Sequence, residues 1–494
     1  MTSTAKHRES LLQSQLALVG AQGLQIGLGF VLTVAAVRTL SDAAFGSFVF
    51  ASAWMIMAAR VVDAGLSPAL IRDLVNKSES LWHRVFSIRT AFAVVLAVVT
   101  PLVFISNSDL AMGPKTRFAV SFGVAISIFA LPLRSWHQRF AAQQRNRVSA
   151  WISLGAQCFQ VTLALGALAY FGSATLPYLV GALASRELLN SIVAWGYGRR
   201  MANSEPGQAK IKVKAENLVV KSGKTGLLSL SLATVATALY FHVDVFMIEA
   251  WRGTDEVAGY GLAIRVLAPL LAAVHLATAP VLPFVVRANS KANRGRVLAS
   301  AMIVVGFATA PLAAALCLGP AVADLLSGRA QHAAGDLLSI LTVVPLAVVA
   351  GALASAALIA IGRTRDWAAV ALVGLAINLS LNAWWIPEHG ARGAAWATAI
   401  TEAFVGASSA ALAWFHLRSP QIEVASRRRF QPPWVALGIL TLFIALATQL
   451  DGASKAGAVA IWILAAAAAA AWTFSPAAKG LRRRIESEGI DSSS

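Results

Sequence analysis

The sequence predicts an all-α, polytopic membrane protein with 14 transmembrane helices. Three observations lead there. The 494 residues are 57% hydrophobic and only 13% charged, with a mean hydropathy of +0.67, far more apolar than a soluble chain of that length. Apolar stretches of about 20 residues, enough at ~1.5 Å per residue to cross a ~30 Å hydrocarbon layer, recur from end to end. The basic residues are also sorted. With connections assigned alternately to two sides, 31 of the 41 Lys and Arg fall on the N-terminal side, 7 on the other and 3 within spans.

In chain order the spans fall at about 15–37, 45–63, 85–106, 118–137, 148–172, 175–197, 225–250, 257–285, 297–318, 335–361, 366–387, 391–416, 432–450 and 455–474. The first run is too long for the apolar core of a signal peptide, and no A-x-A cleavage site follows it, so it is expected to remain as span 1. Small residues are abundant inside the spans, as where helices pack closely in lipid. Gly23-Leu-Gln-Ile-Gly27 is one small-xxx-small example, expected to be a packing face. No connection is long enough to hold a folded domain, and the longest on the outer side runs from about Leu318 to Gly335.

Short loops rich in Lys and Arg stay in the cytoplasm, so both termini are expected there and the span count is even. The net charge of +18 is therefore mostly topology and does not imply a nucleic-acid partner. Arg199 to Lys224, the longest inner connection with seven Lys or Arg, and Arg482-Arg483-Arg484 are placed to touch anionic lipid headgroups. Cys158 and Cys317 lie in spans far apart, without metal-ligand or disulfide spacing, and read as buried small apolar residues. Lys221-Ser-Gly-Lys-Thr225 resembles the end of a phosphate-binding loop, but Leu218 stands where its first glycine is required and no strand precedes it. No cofactor or metal site is expected. Transport must draw on a gradient, the membrane potential or the substrate.

A repeat organises the chain. Asp42-x-x-x-Gly46 at the start of span 2 recurs as Asp255-x-x-x-Gly259 at the start of span 8, and Pro132-Leu133 in span 4 recurs as Pro345-Leu346 in span 10, both offset by 213. Glu187 and Glu402 sit midway along spans 6 and 12, offset by 215. The expected organisation is an N-lobe over 1–198, a basic linker over 199–224, a C-lobe over 225–417, two further spans over 418–476 and a basic, polar tail over 477–494. Six spans per lobe give the lobes one orientation, the parallel-repeat design of an alternating-access transporter.

Ionisable residues inside the membrane are the candidate site. The stretch YFHVDVFMIEA, residues 240–250, puts His242, Asp244 and Glu249 in the outer half of span 7, and helix rise puts Arg265 at similar depth on span 8. The pair is either a structural salt bridge or part of a substrate or proton site. Arg186 and Glu187 lie near the middle of span 6, with Asn190 on the same face, and Glu402 lies near the middle of span 12. Arg60 and Asp63 share a face low in span 2, and His275 takes the repeat-equivalent place in span 8. Gln15, Gln22, Gln25, Gln157, Gln160, Asn378 and Asn382 add neutral polar groups. Three arginines against Asp63, Glu187, Asp244 and Glu402 do not predict a cationic lumen by counting.

Leu40-Ser-Asp-Ala-Ala-Phe-Gly-Ser-Phe48, Val62-Asp-Ala-Gly-Leu66, Ala69-Leu-Ile-Arg72, Val257-Ala-Gly-Tyr-Gly-Leu-Ala263 and above all His389-Gly-Ala-Arg-Gly-Ala-Ala-Trp-Ala-Thr-Ala-Ile-Thr-Glu402 carry a resemblance. Over spans 1 to 12 the chain resembles the polysaccharide transporter (Wzx-type flippase) family of the MOP superfamily. The resemblance implies two six-helix lobes in a V and export of undecaprenyl-diphosphate-linked oligosaccharide to the outer leaflet of a bacterial inner membrane. It also implies H+ or Na+ as counter-ion and a polysaccharide polymerase with chain-length machinery as partners. Asp63, Asp244, Arg265 and Glu402 match its motif positions, whereas Arg60, Arg186 and His275 rest on depth. A drug–cation antiporter, a lipid II flippase and a membrane polysaccharide polymerase or ligase stay open at this point.

Overall fold

The computed structural model describes residues 3–75, 80–143, 145–204, 224–278 and 290–417, with 281, 285 and 288 between the last two blocks. Spans 13 and 14, the polar tail and most of the basic linker lie outside the described residues, as does the end of span 8 as first drawn. Everything regular in the described residues is helical.

The first six spans are α1 (Ser3–Thr39), α2 (Asp42–Asp63), α4 (Ser80–Ser106), α5 (Pro114–Ala130) continued by α6 (Ser135–Ala142), α7 (Asn146–Phe171) and α8 (Leu176–Ser204), with the short α3 (Ser67–Val75) after α2. The second set comprises α9 (Lys224–Tyr240) with α10 (Val243–Arg252), α11 (Thr254–Thr278), α12 (Lys291–Ala315) with α13 (Gly319–Ser327), α14 (His332–Ile340) with α15 (Val344–Ala360), and the 54-residue α16 (Thr364–Leu417). Ten segments are long and apolar enough to cross a membrane. α8 falls outside that set because Arg186 and Glu187 interrupt it, and α16 counts as one.

α16 is in fact two spans. Its backbone leaves the helical region at Gly390, at φ 55° and ψ −135°. A Cβ on Gly393 would lie 2.6 Å from the Trp385 carbonyl oxygen, and one on Gly374 would lie 2.6 Å from Val405. In a straight helix residues eight apart are about 12 Å apart along the axis, so the arms fold back on each other. Glu256 caps the turn: its carboxylate accepts the Ala391 N–H at 3.2 Å and fills the space a Gly390 Cβ would need. With α8 and both arms, spans 1 to 12 are all present.

Contacts define two ends of the bundle. The distal end carries the α1–α2 turn, where Arg38 donates to the Leu325 and Leu326 carbonyls and Arg329 pairs with Asp42 at 2.5 Å. There too Thr254 donates to the Asp109 carbonyl at 3.0 Å and Asn107 donates to Glu249 at 2.5 Å. The proximal end is where α2, α4 and α6 meet around Asp63, Arg89 and Ser135.

α2 and α11, the helices that carry the repeated Asp-x-x-x-Gly, cross each other so tightly that glycine is required. A Cβ on Gly46 would lie 1.9 Å from the Thr254 carbonyl oxygen, and one on Gly261 would lie 2.4 Å from Val49. Pro132 and Pro345 occupy comparable places, the first inside a 3-10 turn over Leu131–Arg134 and the second just after one over Leu341–Val343. By contrast Gly23 and Gly27 face open space, so the expected packing face on α1 does not form among the described residues. Cys317 is buried as expected, but Cys158 is exposed, on the face of α7 that also carries the exposed Phe159.

Candidate functional site

A cavity of about 950 Å³ lies between α1, α2, α3, α4, the α5–α6 turn, α6, α7 and α8 on one side and α9, α10 and α11 on the other. Its volume is at the upper end for a small-ligand pocket. Among the described residues Arg60, Arg89, Arg134, Arg186 and Arg265 line it against Asp63 and Glu187, an excess of three positive charges. Counting over the sequence failed here for two reasons. Asp244 and Glu402 do not reach the cavity, and Arg89 and Arg134, which do, stand near span ends and read there as loop charge.

The acids are spent on holding cations in place. Glu187 takes Arg134 at 2.8 Å on one oxygen and Arg186 at 3.2 Å on the other, so it bridges two guanidinium groups from α8 and the α5–α6 turn. Asp63 takes Arg89 at 2.5 Å, and Arg89, only 3% exposed, donates also to Ser67 and Ser135. These bonds tie α2, α4 and α6 together. One nitrogen of Arg89, Nε, keeps no partner among the described residues.

Arg265 sits differently. It donates to Ser52 and, at 3.4 Å, to Thr33, and its guanidinium stacks 4.6 Å from the Phe48 ring and 5.9 Å from Phe45. No carboxylate pairs with it among the described residues. Outside the cavity lining an aromatic cluster joins α2, α4 and α10: Phe50 packs edge-on to Phe104 and Phe246, and Trp54 packs on Phe246. With the Gly46–Thr254 crossing and the Asp42–Arg329 pair beyond, the cavity is shut toward the distal end. Toward the proximal end Gly65 lies against Ser231, whose hydroxyl donates to the Gly65 carbonyl at 2.9 Å.

The Asp244–Arg265 pair expected from depth does not form. Asp244 is 1% exposed and accepts from the Tyr260 hydroxyl, from Thr398 at 3.3 Å and from the Val245 N–H at 2.9 Å. Tyr260 and Arg265 are five residues apart on α11, ~140° around the helix, so the depths agree but the faces do not. His242 does line the cavity, at the break between α9 and α10, and YFHVDVF therefore marks a discontinuity in span 7. Glu402, 3% exposed, has Tyr240 beside it and leaves Oε1 without a partner among the described residues; on the same α16, Asn378, Asn382 and Thr401 are also buried. His275 is exposed, bonds the Leu271 carbonyl, and lies along α11 beyond Ala272, the last residue of that helix to line the cavity. Of the eight expected site residues, Arg60, Asp63, Arg186, Glu187 and Arg265 share the cavity, and Asp244, Glu402 and His275 do not.

Residues 11–289 match the model of the family described as polysaccharide biosynthesis protein. The chain belongs to that family. The polysaccharide biosynthesis family match spans the helices that build the cavity, and residues 230–384 also match the MatE model. No curated protein matches the chain. Among solved structures, the lipid II flippase MurJ in an inward closed conformation aligns with a TM-score of 0.66 at 12% identity, over 92% of this chain and 98% of that one. An inward-facing MATE multidrug resistance transporter aligns at 0.54 and 15% identity, over 82% of this chain and 98% of that one. A MOP superfamily transporter from Pyrococcus furiosus, described as having a binding pocket of reverse polarity, aligns at 0.53 and 15%, over 83% and 95%. These alignments show a shared fold, and with the family match and the apolar helices the chain is a multi-pass membrane protein.

Proposed function

We propose that the protein is a flippase that moves undecaprenyl-diphosphate-linked oligosaccharide from the cytoplasmic to the outer leaflet of a bacterial inner membrane. The observation that carries this reading is the cavity's excess of three positive charges, held by fixed guanidinium groups in space closed to the distal end. A diphosphate leaving water for such a site exchanges hydration for charge-assisted hydrogen bonds, for which arginine geometry is suited. The lipid tail stays in the bilayer while the head group crosses.

Both termini are cytoplasmic in this reading, so the proximal end faces the cytoplasm and the closed distal end the outside. The two six-helix lobes rock about the α2–α11 crossing to alternate access. Outward movement of an anion is favoured by about 2.3 kcal/mol per charge per 100 mV of inside-negative potential. H+ or Na+ entering through the polar group around Asp244 and Glu402 supplies the remaining drive. A polymerase with its chain-length machinery takes the product, and anionic lipids contact the basic linker. A drug–cation antiporter is supported by the MatE match, but the sign of the cavity repels its substrates.

Deletion of the gene, followed by leaflet-selective labelling, is expected to show polyprenyl-diphosphate oligosaccharide accumulating on the cytoplasmic face. Wild type rescues; Arg265→Ala and the Arg134→Gln, Arg186→Gln double variant do not. Unchanged labelling and unchanged surface glycan in the deletion would refute the reading.

A further inference from the structure

The cavity has two chemically different walls. The arginines come from α2, α4, the α5–α6 turn, α8 and α11, whereas α7 contributes only uncharged polar groups: Ser149, Ser153, Gln157 and Gln160. Their spacing of 4, 8 and 11 residues from Ser149 confines them to one ~80° stripe of the helix. The opposite face of α7 carries the exposed Trp151, Phe159 and Leu163, so the stripe is the side turned away from lipid.

Gln157 is 5% and Gln160 3% exposed, and the Gln160 Oε1 has no partner among the described residues. An amide left unsatisfied in a closed space is costly, and leucine at the same place would be stable. Nearby, Ser149 binds His137 Nδ1 at 2.7 Å, leaving the buried Nε2 of that ring unpartnered, and Ser153 donates to Asn190 at 3.4 Å. The wall thus offers mixed donors and acceptors, fixed in place and uncharged. Phosphate wants donors only; a polyhydroxylated ring wants both kinds at each hydroxyl.

We propose that this stripe of α7, with Gln157 and Gln160 as its specificity-determining residues, is the subsite for the sugar attached to the diphosphate, which the arginine wall holds. The inference rests on the flippase reading above. It divides the labour: arginines supply affinity common to all polyprenyl diphosphates, and α7 discriminates among glycans through buried amides, the Gln160 Oε1 among them, that a wrong sugar would leave unsatisfied.

The test uses the full chain in lipid nanodiscs and two ligands, bare undecaprenyl diphosphate and the polyprenyl-diphosphate glycan extracted from the cells that make the protein, with Kd measured for each. Wild type is expected to bind the glycan form about ten-fold more tightly, the equivalent of one or two neutral hydrogen bonds. Gln157→Leu with Gln160→Leu is expected to bring the ratio close to one while the Kd for bare lipid stays put, and Arg134→Gln with Arg186→Gln to weaken both ligands together. The single Gln160→Met, close in volume, gives an intermediate ratio and guards against misfolding of the double variant. A ratio that survives the double glutamine variant, or bare-lipid binding that falls in parallel, overturns the sugar subsite and leaves the flippase reading standing. Wild type binding neither ligand overturns both.

Discussion

Replacing Gly46 with alanine should hold the distal end open. The added Cβ would sit 1.9 Å from the Thr254 carbonyl oxygen, and real Cβ contacts essentially never fall below 3.0 Å, so α2 and α11 must part by about 1.1 Å. The atom it meets is backbone, at a helix start, and cannot turn aside. Overpacking of this kind costs about 1–3 kcal/mol. Because the contact exists only when the distal end is closed, the cost falls on that state alone and shifts the closed-to-open ratio by about 5- to 150-fold. The shift is readable as solvent access: in a background lacking Cys158 and Cys317, a cysteine replacing the cavity residue Ala53 is treated in whole cells with a membrane-impermeant thiol reagent. Labelling is expected to rise with Gly46→Ala and to stay at its original rate with Gly123→Ala, where a Cβ meets nothing within 4 Å. Equal labelling in both variants at wild-type yield would refute the idea that this crossing closes the cavity.

Asp63→Asn strips the 3%-exposed Arg89 of its counter-charge; a loss of about 1–3 kcal/mol by thermal unfolding is expected, less than the ~3–5 of a fully buried pair because Asp63 is itself 32% exposed. Adding Arg89→Gln should recover part of it, and a purely additive double variant would argue against the pair. Asp42→Ala or Arg329→Ala, breaking an ion pair whose side chains are 50% and 40% exposed, should leave the unfolding temperature nearly unchanged and raise Ala53→Cys labelling modestly, an effect that high salt reproduces in the unmutated pair. Gly390→Ala meets the Glu256 carboxylate and a left-handed φ together, and should lower the yield of folded protein in membranes more than Gly123→Ala does.

Hydropathy located most of the first twelve spans to within a few residues because the membrane imposes one length and one chemistry on each, and the division of 366–416 at 387–391 matches the turn at Gly390. Span 9 differs, its helical stretch running on through Ser327 and not ending near Leu318, and the break at His242 did not show, since a local backbone departure inside an apolar run leaves no trace in average apolarity. Azimuth was not legible: Asp244 bonds Tyr260, which stands ~140° around α11 from Arg265, and His275 lies beyond the last residue of α11 in the cavity wall. Arg89 and Arg134 were lost for a different reason. Both stand near the inner ends of their spans, where arginine is ordinary, and only the placement of Asp63 and Glu187 opposite them in space distinguishes a built site from a topogenic charge.

The cavity is lopsided, furnished chiefly by the first six spans, while the second set offers a few side chains of α9 to α11 and keeps its own acids buried elsewhere. In the flippase reading proposed above, this separates cargo choice from energetics, for lineage and engineering alike. Substitutions along α7 or α8 can retune what is carried without touching the residues around Asp244 and Glu402. A chimera that takes its first six spans from one relative and the remainder from another should inherit its cargo from the former and its coupling from the latter.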